Sequence, residues 1–145
     1  MDFELLPIYF ENLKKYMDKS INQLIKQYGI TIIQFKPIVL LEHNQEEGLS
    51  LQELTEKIGI DKANVTRVIN DLLNKNIVYK SDLKQRGYKI KLTEKGLKVA
   101  TKIKQEKEKM DKKLLSCFNE KEKQQFFSLI IKMCKSISKE EQSKK

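Results

Sequence analysis

The sequence is poor in the residues that most enzymes and metal sites need. Its 145 residues include one histidine, His43, two cysteines and no tryptophan. The two cysteines, Cys117 and Cys134, are too few for a disulfide framework. A single histidine is too few for a metal site or a catalytic centre built on histidine. No nucleophile–base pair or glycine-rich phosphate loop stands out either. We therefore expect no enzyme activity, no metal and no cofactor.

Long apolar runs are absent as well. No run reaches the roughly 20 apolar residues that cross a bilayer. The first ten residues, MDFELLPIYF, lack the basic start of a signal peptide. No internal repeat or long linker is present, and 145 residues suit a single domain. We expect a cytoplasmic protein of one domain that does not enter a membrane.

The charge balance is strongly basic. Lysine and arginine number 29 against 20 aspartate and glutamate residues, which gives a formal net charge of +9. An excess of this kind favours a polyanionic partner, but membranes, acidic proteins and nucleic acids all satisfy it. The positions of the basic residues along the chain must therefore decide between these partners.

Apolar residues recur every three or four positions through much of the chain, which predicts helices. The first such stretch, Pro7–Tyr28, predicts a long helix that ends at Gly29. A capping box of Thr31 with Gln34 predicts the start of a second helix. Because Pro37 lies past the first turn of that helix, we expect a kink or a late start there.

Two short helices with a tight turn between them follow. Ser50 and Glu53 form a second capping box, which opens the first of these helices, and Gly59 ends it. Asp61 then caps a helix over about Lys62–Lys75. Two short helices joined by a turn that contains glycine are typical of a helix-turn-helix motif.

The pattern changes from helical to alternating after residue 76. Residues 77–79 predict one short strand and residues 88–92 a second, joined by a polar loop that ends in Gly87. Thr93 caps a further helix, and Asn119 opens the last one. This order of elements predicts a mainly α (α+β) fold, namely a winged helix-turn-helix with long helices at both ends.

The outer face of the predicted Lys62–Lys75 helix suits the major groove of DNA. At about 100° per residue, the face opposite the apolar stripe carries small and polar side chains. Arg67 can bond guanine in a bidentate manner, and Asn70 can bond adenine. The alternative is a solvated face on which Arg67 pairs with Asp71, four residues along. We expect DNA contacts from Lys62, Ala63, Asn64, Thr66, Arg67 and Asn70.

Basic residues also cluster on the predicted hairpin. A guanidinium at its tip, that of Arg86, can enter a narrow A·T-rich minor groove, where the negative potential is strongest. Lysines on the strands can meet phosphates. The alternative is that these side chains are solvated charges on strand edges, which discourage aggregation. We expect DNA contacts from Lys84, Arg86, Lys89 and Lys91.

The segment 51–100 resembles the MarR family of bacterial regulators. The resemblance lies in LTEKIGI, then NVTRVINDLLNKNIV, and then IKLTEKG after the hairpin loop. It implies a homodimer that binds a pseudo-palindromic operator, represses nearby genes and releases DNA on meeting a signal. It also implies that Thr66 and Arg67 lie in the recognition helix and that Arg86 is the wing arginine. The family usually has an acidic residue two positions before that arginine, where this chain has Lys84.

The terminal helices are expected to form the dimer. The first and last predicted helices carry large apolar side chains over more than one stripe, which is wider than one small core needs. The alternative is that these side chains cover the winged-helix core. In the family, the terminal helices of two subunits intertwine. We therefore assign residues 1–30 and 94–145 to dimerisation and residues 31–93 to the DNA-binding lobe.

The sequence contains few features that indicate which signal regulates the protein. The resemblance implies an effector pocket between the dimerisation helices and the DNA-binding lobe, and ordinary core positions are the alternative for its candidate residues. Thiol-based redox sensing is an alternative function, since Lys112 and Lys113 precede Cys117, but the family's peroxide sensors carry their cysteine near the N-terminus. A winged-helix module that binds protein is the other alternative. The candidate pocket residues are Tyr9, Phe10, Tyr16, Phe35 and Ile38.

Overall fold

The computed structural model describes residues 1–81 and 87–143. These residues are mainly helical, with a two-stranded sheet directly after the helix-turn-helix, which confirms the predicted fold class. Two compact units divide the chain, Met1–Lys107 and Glu108–Lys145. Within the described residues, no helix is long and apolar enough to span a membrane. The elements are α1 (Leu6–Lys26), α2 (Ile32–Glu42), α3 (Leu51–Ile58), α4 (Lys62–Asn74), β1 (Val78–Ser81), β2 (Lys89–Leu92), α5 (Glu94–Leu114) and α6 (Glu120–Ser143).

The first two helices are separated by a turn at the predicted place. Gly29 adopts a φ of +69°, a left-handed conformation that favours glycine. At the start of α2, the backbone N–H of Thr31 donates to Gln34 Oε1 at 3.2 Å, as the predicted capping box requires. The helix begins at Ile32 and continues through Pro37, so the expected late start is wrong. Packing of the buried proline ring compensates for the one backbone hydrogen bond that proline removes.

The helix-turn-helix consists of α3 and α4. At the start of α3, Ser50 Oγ accepts from the backbone N–H of Glu53 at 3.0 Å, and the Glu53 carboxylate accepts from the backbone N–H of Ser50 at 3.5 Å. Gly59 ends α3 with a φ of +79°. Asp61 caps α4, because its Oδ1 accepts from the backbone N–H of Asn64 at 2.8 Å. Both helix starts are therefore set by the local capping chemistry that the sequence predicts.

The hairpin is joined to the segment that precedes α3. Its strands pair in antiparallel fashion, with Ser81 opposite Lys89. An isolated bridge joins Leu49 to Ile90 on the other side of β2. Gly48 lies against that strand so closely that an added Cβ would lie 2.5 Å from the carbonyl oxygen of Ile90. This bridge could not be predicted from the sequence, because a single residue has no periodicity to reveal it.

The core of the Met1–Lys107 unit packs α2 against α3, α4 and β2. All the buried residues of α4 occur on the apolar stripe that the sequence predicts. Full burial of one such aliphatic side chain stabilises a fold by about 1.5–3 kcal/mol. This packing holds the opposite face of α4 towards solvent. The buried residues of α4 are Val65, Val68, Ile69 and Leu72.

The start of α5 packs directly on the backbone that follows α4. Thr93 Oγ1 accepts from the backbone N–H of Gly96 at 2.9 Å and donates to the carbonyl oxygen of Asn76 at 2.6 Å. Gly96 is buried, and an added Cβ would lie 2.0 Å from the carbonyl oxygen of Ile77. The first turn of α5 therefore has room only for glycine at this position.

The Glu108–Lys145 unit contains α6, which begins at a reciprocal cap. Asn119 Oδ1 accepts from the backbone N–H of Glu122 at 2.8 Å, and Glu122 Oε1 accepts from the backbone N–H of Asn119 at 3.0 Å. The rings of Phe118 and Phe126 have centroids 5.4 Å apart. No side chain is buried within residues 120–141. The apolar side of α6 is thus left open in the single chain.

Candidate nucleic-acid interface

The exposed face of α4 carries four of the side chains predicted to contact DNA. Lys62, Ala63, Arg67 and Asn70 are all exposed. Ala63, Arg67 and Asn70 lie on the side of α4 opposite the buried stripe, and Lys62 is exposed at the start of the helix. Together they supply an ammonium group, a small side chain and two groups that can form bidentate hydrogen bonds.

Two further predicted residues take part in the start of α4. Asn64 Nδ2 donates to Asp61 Oδ2 at 2.8 Å, and Thr66 Oγ1 donates to the carbonyl oxygen of Lys62 at 2.8 Å. Both Asn64 and Thr66 are half-buried. Their donors are therefore partly used within the helix, whereas the oxygen atoms keep acceptor capacity for an external donor.

Asp71 is the residue of the chain itself with which Arg67 could pair. Within the described residues, no ion pair joins Arg67 to Asp71, although the two are four positions apart on α4. Both side chains are exposed. The guanidinium of Arg67 is therefore accessible to a molecule outside the chain.

The two strand lysines predicted to meet phosphates contact the protein itself. Lys89 Nζ lies 2.5 Å from Glu53 Oε1, and Lys91 Nζ donates to the carbonyl oxygen of Glu46. These partners lie 36 and 45 residues away along the chain. Local periodicity could not reveal contacts over such separations. Both lysines thus join the hairpin to the part of the chain around the start of α3.

The ion pair with Lys89 changes the titration of Glu53. The hydrogen bond from Lys89 holds the pKa of the Glu53 carboxyl below its usual value, desolvation opposes this, and bonds from Ser50 lower the pKa further. The same carboxylate therefore caps α3 and anchors β2. Of these two roles of Glu53, only the capping role could be predicted from the sequence.

Replacing Glu53 by glutamine should make stability less dependent on acid pH. We expect E53Q to be less stable than the unchanged chain above about pH 4.3, the ordinary pKa of glutamate. A depressed folded-state pKa means that the ionised carboxylate stabilises the fold, so the difference should vanish as the pH falls through that pKa. Urea unfolding at a series of pH values measures it, with E56Q, at an exposed position of α3, as the control. A difference that stays constant into strong acid would contradict the assignment.

Comparison with known proteins finds a family match for one segment of the chain. Residues 30–85, which include α2, α3 and α4, match the MarR family. The HTH-type transcriptional regulator SarZ of Staphylococcus epidermidis is 33% identical over 88 residues, which cover 59% of this chain and 55% of SarZ. The chain thus spans about half the length of the curated relatives that it matches.

Solved structures share the fold of this chain. A MarR transcriptional regulator from Methanosarcina mazei Go1 has a TM-score of 0.83 at 26% identity, over 96% of this chain and 93% of that one. Staphylococcus aureus MepR in a complex with DNA has a TM-score of 0.78 at 23% identity, over 89% of this chain and 94% of that one. These similarities confirm the predicted winged-helix fold.

The tip of the predicted hairpin lies outside the described residues. Lys84 and Arg86, both predicted to contact DNA, belong to that segment. In the described part beside it, Lys80 Nζ lies 4.5 Å from the centroid of the Tyr88 ring, which places a cation over an aromatic face. The roles of Lys84 and Arg86 remain predictions from the sequence.

The residues predicted to line an effector pocket lie in different environments. Tyr9, Phe10 and Tyr16 are exposed on α1. Phe35 is half-buried on α2, and Ile38 is 1% exposed within the core. Ile38 therefore occupies an ordinary core position, which was the alternative interpretation.

Cys117, Cys134 and His43, all among the described residues, lie in no metal cluster. Cys117 and Cys134 are both free and exposed. His43 Nε2 lies 3.9 Å from Glu42 Oε2. Among the residues that the structure covers, no group of three or more histidine, cysteine, aspartate or glutamate side chains is arranged to hold a metal ion.

Proposed function

We propose that this chain is a transcription regulator that binds specific double-stranded DNA sequences through α4. The observation that carries the proposal is the exposed row of Ala63, Arg67 and Asn70 on a helix whose other face is buried, with the exposed Lys62 at the helix start. A helix of this kind fits the major groove, where base edges present distinct donors and acceptors. The relatives support the proposal, because SarZ is a transcriptional regulator and MepR forms a complex with DNA.

The roles proposed for the side chains follow from their chemistry. Arg67 reads guanine through two parallel hydrogen bonds, and Asn70 reads adenine in the same way. Ala63 allows the helix to approach the base edges closely. Lys62 lies at the start of α4, where the backbone N–H groups also favour a phosphate. Asn64 and Thr66 contribute through the acceptor capacity that their bonds within the helix leave unused.

The proposed role of the hairpin has two parts. Arg86 and Lys84 are proposed to reach the minor groove, on the basis of the sequence pattern and the family resemblance. Lys89 and Lys91 are proposed to position the hairpin through Glu53 and the carbonyl group of Glu46, and a phosphate must compete with those contacts. This assigns the two strand lysines a smaller share of the binding free energy than the sequence alone suggests.

We also propose that the regulator works as a homodimer. None of residues 1–17 is buried, and neither is any side chain within residues 120–141, although both stretches are rich in large apolar residues. Apolar surface of this extent marks an interaction site. A twofold dimer places two recognition helices about one DNA turn apart and therefore requires a symmetric site. Repression and release by a small-molecule effector are proposed from the family resemblance alone.

Introducing a charge into the apolar side of α6 should separate the dimer. Phe127 is 67% exposed in the single chain. We expect F127E to raise the dimer dissociation constant by about 100-fold or more, because an unpaired charge would be buried in the interface. Sedimentation velocity measures this, with Q125E, about 160° round the helix, as the control. If F127E remains as dimeric as Q125E, α6 is not part of the interface.

Removing Lys62, the exposed lysine at the start of α4, should weaken DNA binding without changing sequence preference. We expect K62A to lose affinity equally for all duplexes and to lower the slope of log K against log salt by about one, the effect of one phosphate contact. Fluorescence anisotropy with a labelled duplex at several salt concentrations measures both quantities. K14A, which removes an exposed lysine of α1, is the control and should leave the slope unchanged. An unchanged slope in K62A would remove the proposed phosphate contact.

A further inference from the structure

Lys75, the C-cap residue of α4, bonds to other elements of the Met1–Lys107 unit. Its Nζ atom donates to the carbonyl oxygen of Gly29 at 2.6 Å and to Gln34 Oε1 at 3.0 Å. Its own carbonyl oxygen accepts from Lys95 Nζ, in the first turn of α5, at 3.1 Å. The two acceptors of Nζ lie 46 and 41 residues away along the chain. One residue therefore joins the end of α4 to the start of α2 and to the start of α5.

The two acceptors of the Lys75 ammonium group are held by their own surroundings. The carbonyl group of Gly29 belongs to the turn that joins α1 to α2. Gln34 is 4% exposed, and its Oε1 atom also accepts from the backbone N–H of Thr31 at 3.2 Å, in the capping box of α2. A hydrogen bond donated by an ammonium group is about twice as strong as one between neutral groups. These bonds therefore define a position for the end of α4.

The end of α4 does not need the Lys75 side chain as a cap. The backbone N–H of Asn76 donates to the carbonyl oxygen of Leu73 at 3.0 Å, and that of Ile77 donates to the carbonyl oxygen of Leu72 at 2.9 Å. This is the Schellman pattern, for which Asn76 adopts the required left-handed φ of +59°. A lysine at such a position often bonds the last carbonyl groups of its own helix. Because the Lys75 ammonium group bonds the start of α2 instead, it helps to place α4 and not to end it.

The placement of α4 determines how its exposed row meets DNA. The 13 residues of α4 span about 20 Å, so a tilt of about 5° moves one end by about 1–2 Å relative to the other. Hydrogen bonds from side chains to base edges form over a range of only about 0.5 Å in distance. A tilt of this size weakens the base contacts proposed for Arg67 and Asn70 together. Attraction to phosphate depends less on geometry and changes little.

We propose that Lys75 is a positioning residue for the recognition of DNA bases. Through Gly29 and Gln34 it holds α4 at the angle at which Arg67 and Asn70 reach base edges, and it does not itself contact DNA. The inference rests on the proposed DNA binding through α4. Loss of the Lys75 ammonium group should lower affinity for the cognate site and leave affinity for random DNA unchanged. The lost preference should be spread over every base pair that α4 reads, because the helix moves as a whole.

Replacing Lys75 by methionine tests this role in the full chain, because methionine keeps a long unbranched side chain and removes the charge and the donors. Lys75 is exposed and Thr31 still bonds Gln34, so K75M leaves no cavity and no unpaired buried oxygen. We expect K75M to bind the cognate duplex about tenfold more weakly, the equivalent of one net hydrogen bond. Its affinity for random duplex and its slope of log K against log salt should stay the same, since no phosphate contact is lost. Fluorescence anisotropy measures all three quantities.

Two matched variants separate positioning from charge and from stability. K75R keeps the charge and the donors and should bind the cognate duplex within about threefold of the unchanged chain. K14M removes an exposed lysine of α1 and should bind as the unchanged chain does. An equal loss on cognate and random duplex in K75M would overturn the proposal: a lower salt slope would show a phosphate contact, and a lower urea midpoint a purely structural role. An unchanged chain that prefers no sequence would overturn the proposed function itself, and this inference with it.

NMR spectra of the ¹⁵N-labelled chain test the contact without DNA. K75M should shift the amide signals of Ile30, which is bonded to the Gly29 carbonyl group, and of Thr31, which donates to Gln34. K14M should leave both signals in place. Signals that do not move in K75M would show that Lys75 makes neither bond in solution, and the positioning role would be overturned while DNA binding through α4 still stood.

Discussion

Replacing Gly96 by alanine should destabilise the fold by about 1–3 kcal/mol, although alanine is the better helix former. Gly96 lies in the first turn of α5, where a Cβ would lie 2.0 Å from the carbonyl oxygen of Ile77. That carbonyl also accepts hydrogen bonds from the backbone N–H of Thr93 at 3.0 Å and from its hydroxyl at 3.2 Å. The added methyl group must push α5 away from the backbone before β1 and strain these bonds. Helix propensity alone predicts the opposite sign, a gain of up to about 1 kcal/mol.

Urea unfolding of G96A distinguishes the clash of the added methyl group, which lowers the free energy of unfolding, from the gain in helix propensity, which raises it. The midpoint should fall while the slope of the free energy against urea stays the same, because the clash changes stability and not the surface exposed on unfolding. E56A, at an exposed position of α3, is the control and should stay within about 0.5 kcal/mol of the unchanged chain. A G96A variant as stable as the unchanged chain would show that α5 does not pack so closely on Ile77.

Replacing Arg67 by alanine should cost about 1–3 kcal/mol of binding free energy on the cognate site, a loss of about 5- to 150-fold in affinity. The loss should fall on one base pair in each half-site, and preference at that position should relax. The reason is that the Arg67 guanidinium is exposed and, within the described residues, makes no ion pair with Asp71. Guanine offers two acceptor atoms whose spacing matches that of the N–H groups of the Arg67 guanidinium.

Arg67→Lys is the matched variant, because it keeps the charge and removes the planar pair of donors. R67K should bind random duplex as the unchanged chain does, yet lose most of its preference at the affected base pair. Affinities are measured by fluorescence anisotropy on the cognate duplex, on the same duplex with the guanine replaced, and on a random duplex. Equal weakening of cognate and random DNA by R67A would show that Arg67 meets phosphate and does not read a base.

The local features of the fold could be predicted from the sequence. The helix starts at Ser50, Asp61 and Thr93 depend on a side chain that bonds a backbone N–H three residues along, so they are visible in a short stretch of sequence. The inward positions of α4 follow from helical periodicity. The exposed face with Arg67 follows from the same geometry, as the complement of that stripe.

Contacts between distant parts of the chain could not be predicted in this way. Lys89 was expected to meet phosphate, and the structure places it on Glu53, 36 residues away. Pro37 was expected to kink α2 or to delay its start, and the helix begins at Ile32, before the proline, whose ring is buried in the core. In both cases tertiary packing decides the outcome, and periodicity carries no information about which elements meet.

Selection of bound sites from a random duplex pool, followed by a salt titration of the enriched sequence, tests whether the chain binds specific DNA sequences as a dimer. We expect a pseudo-palindromic motif with half-sites centred about 10 base pairs apart, one for each α4 of the dimer. We also expect an affinity that falls steeply as salt increases. Failure to enrich any sequence, together with weak binding that salt does not change, would contradict the proposal that this chain is a sequence-specific DNA-binding regulator.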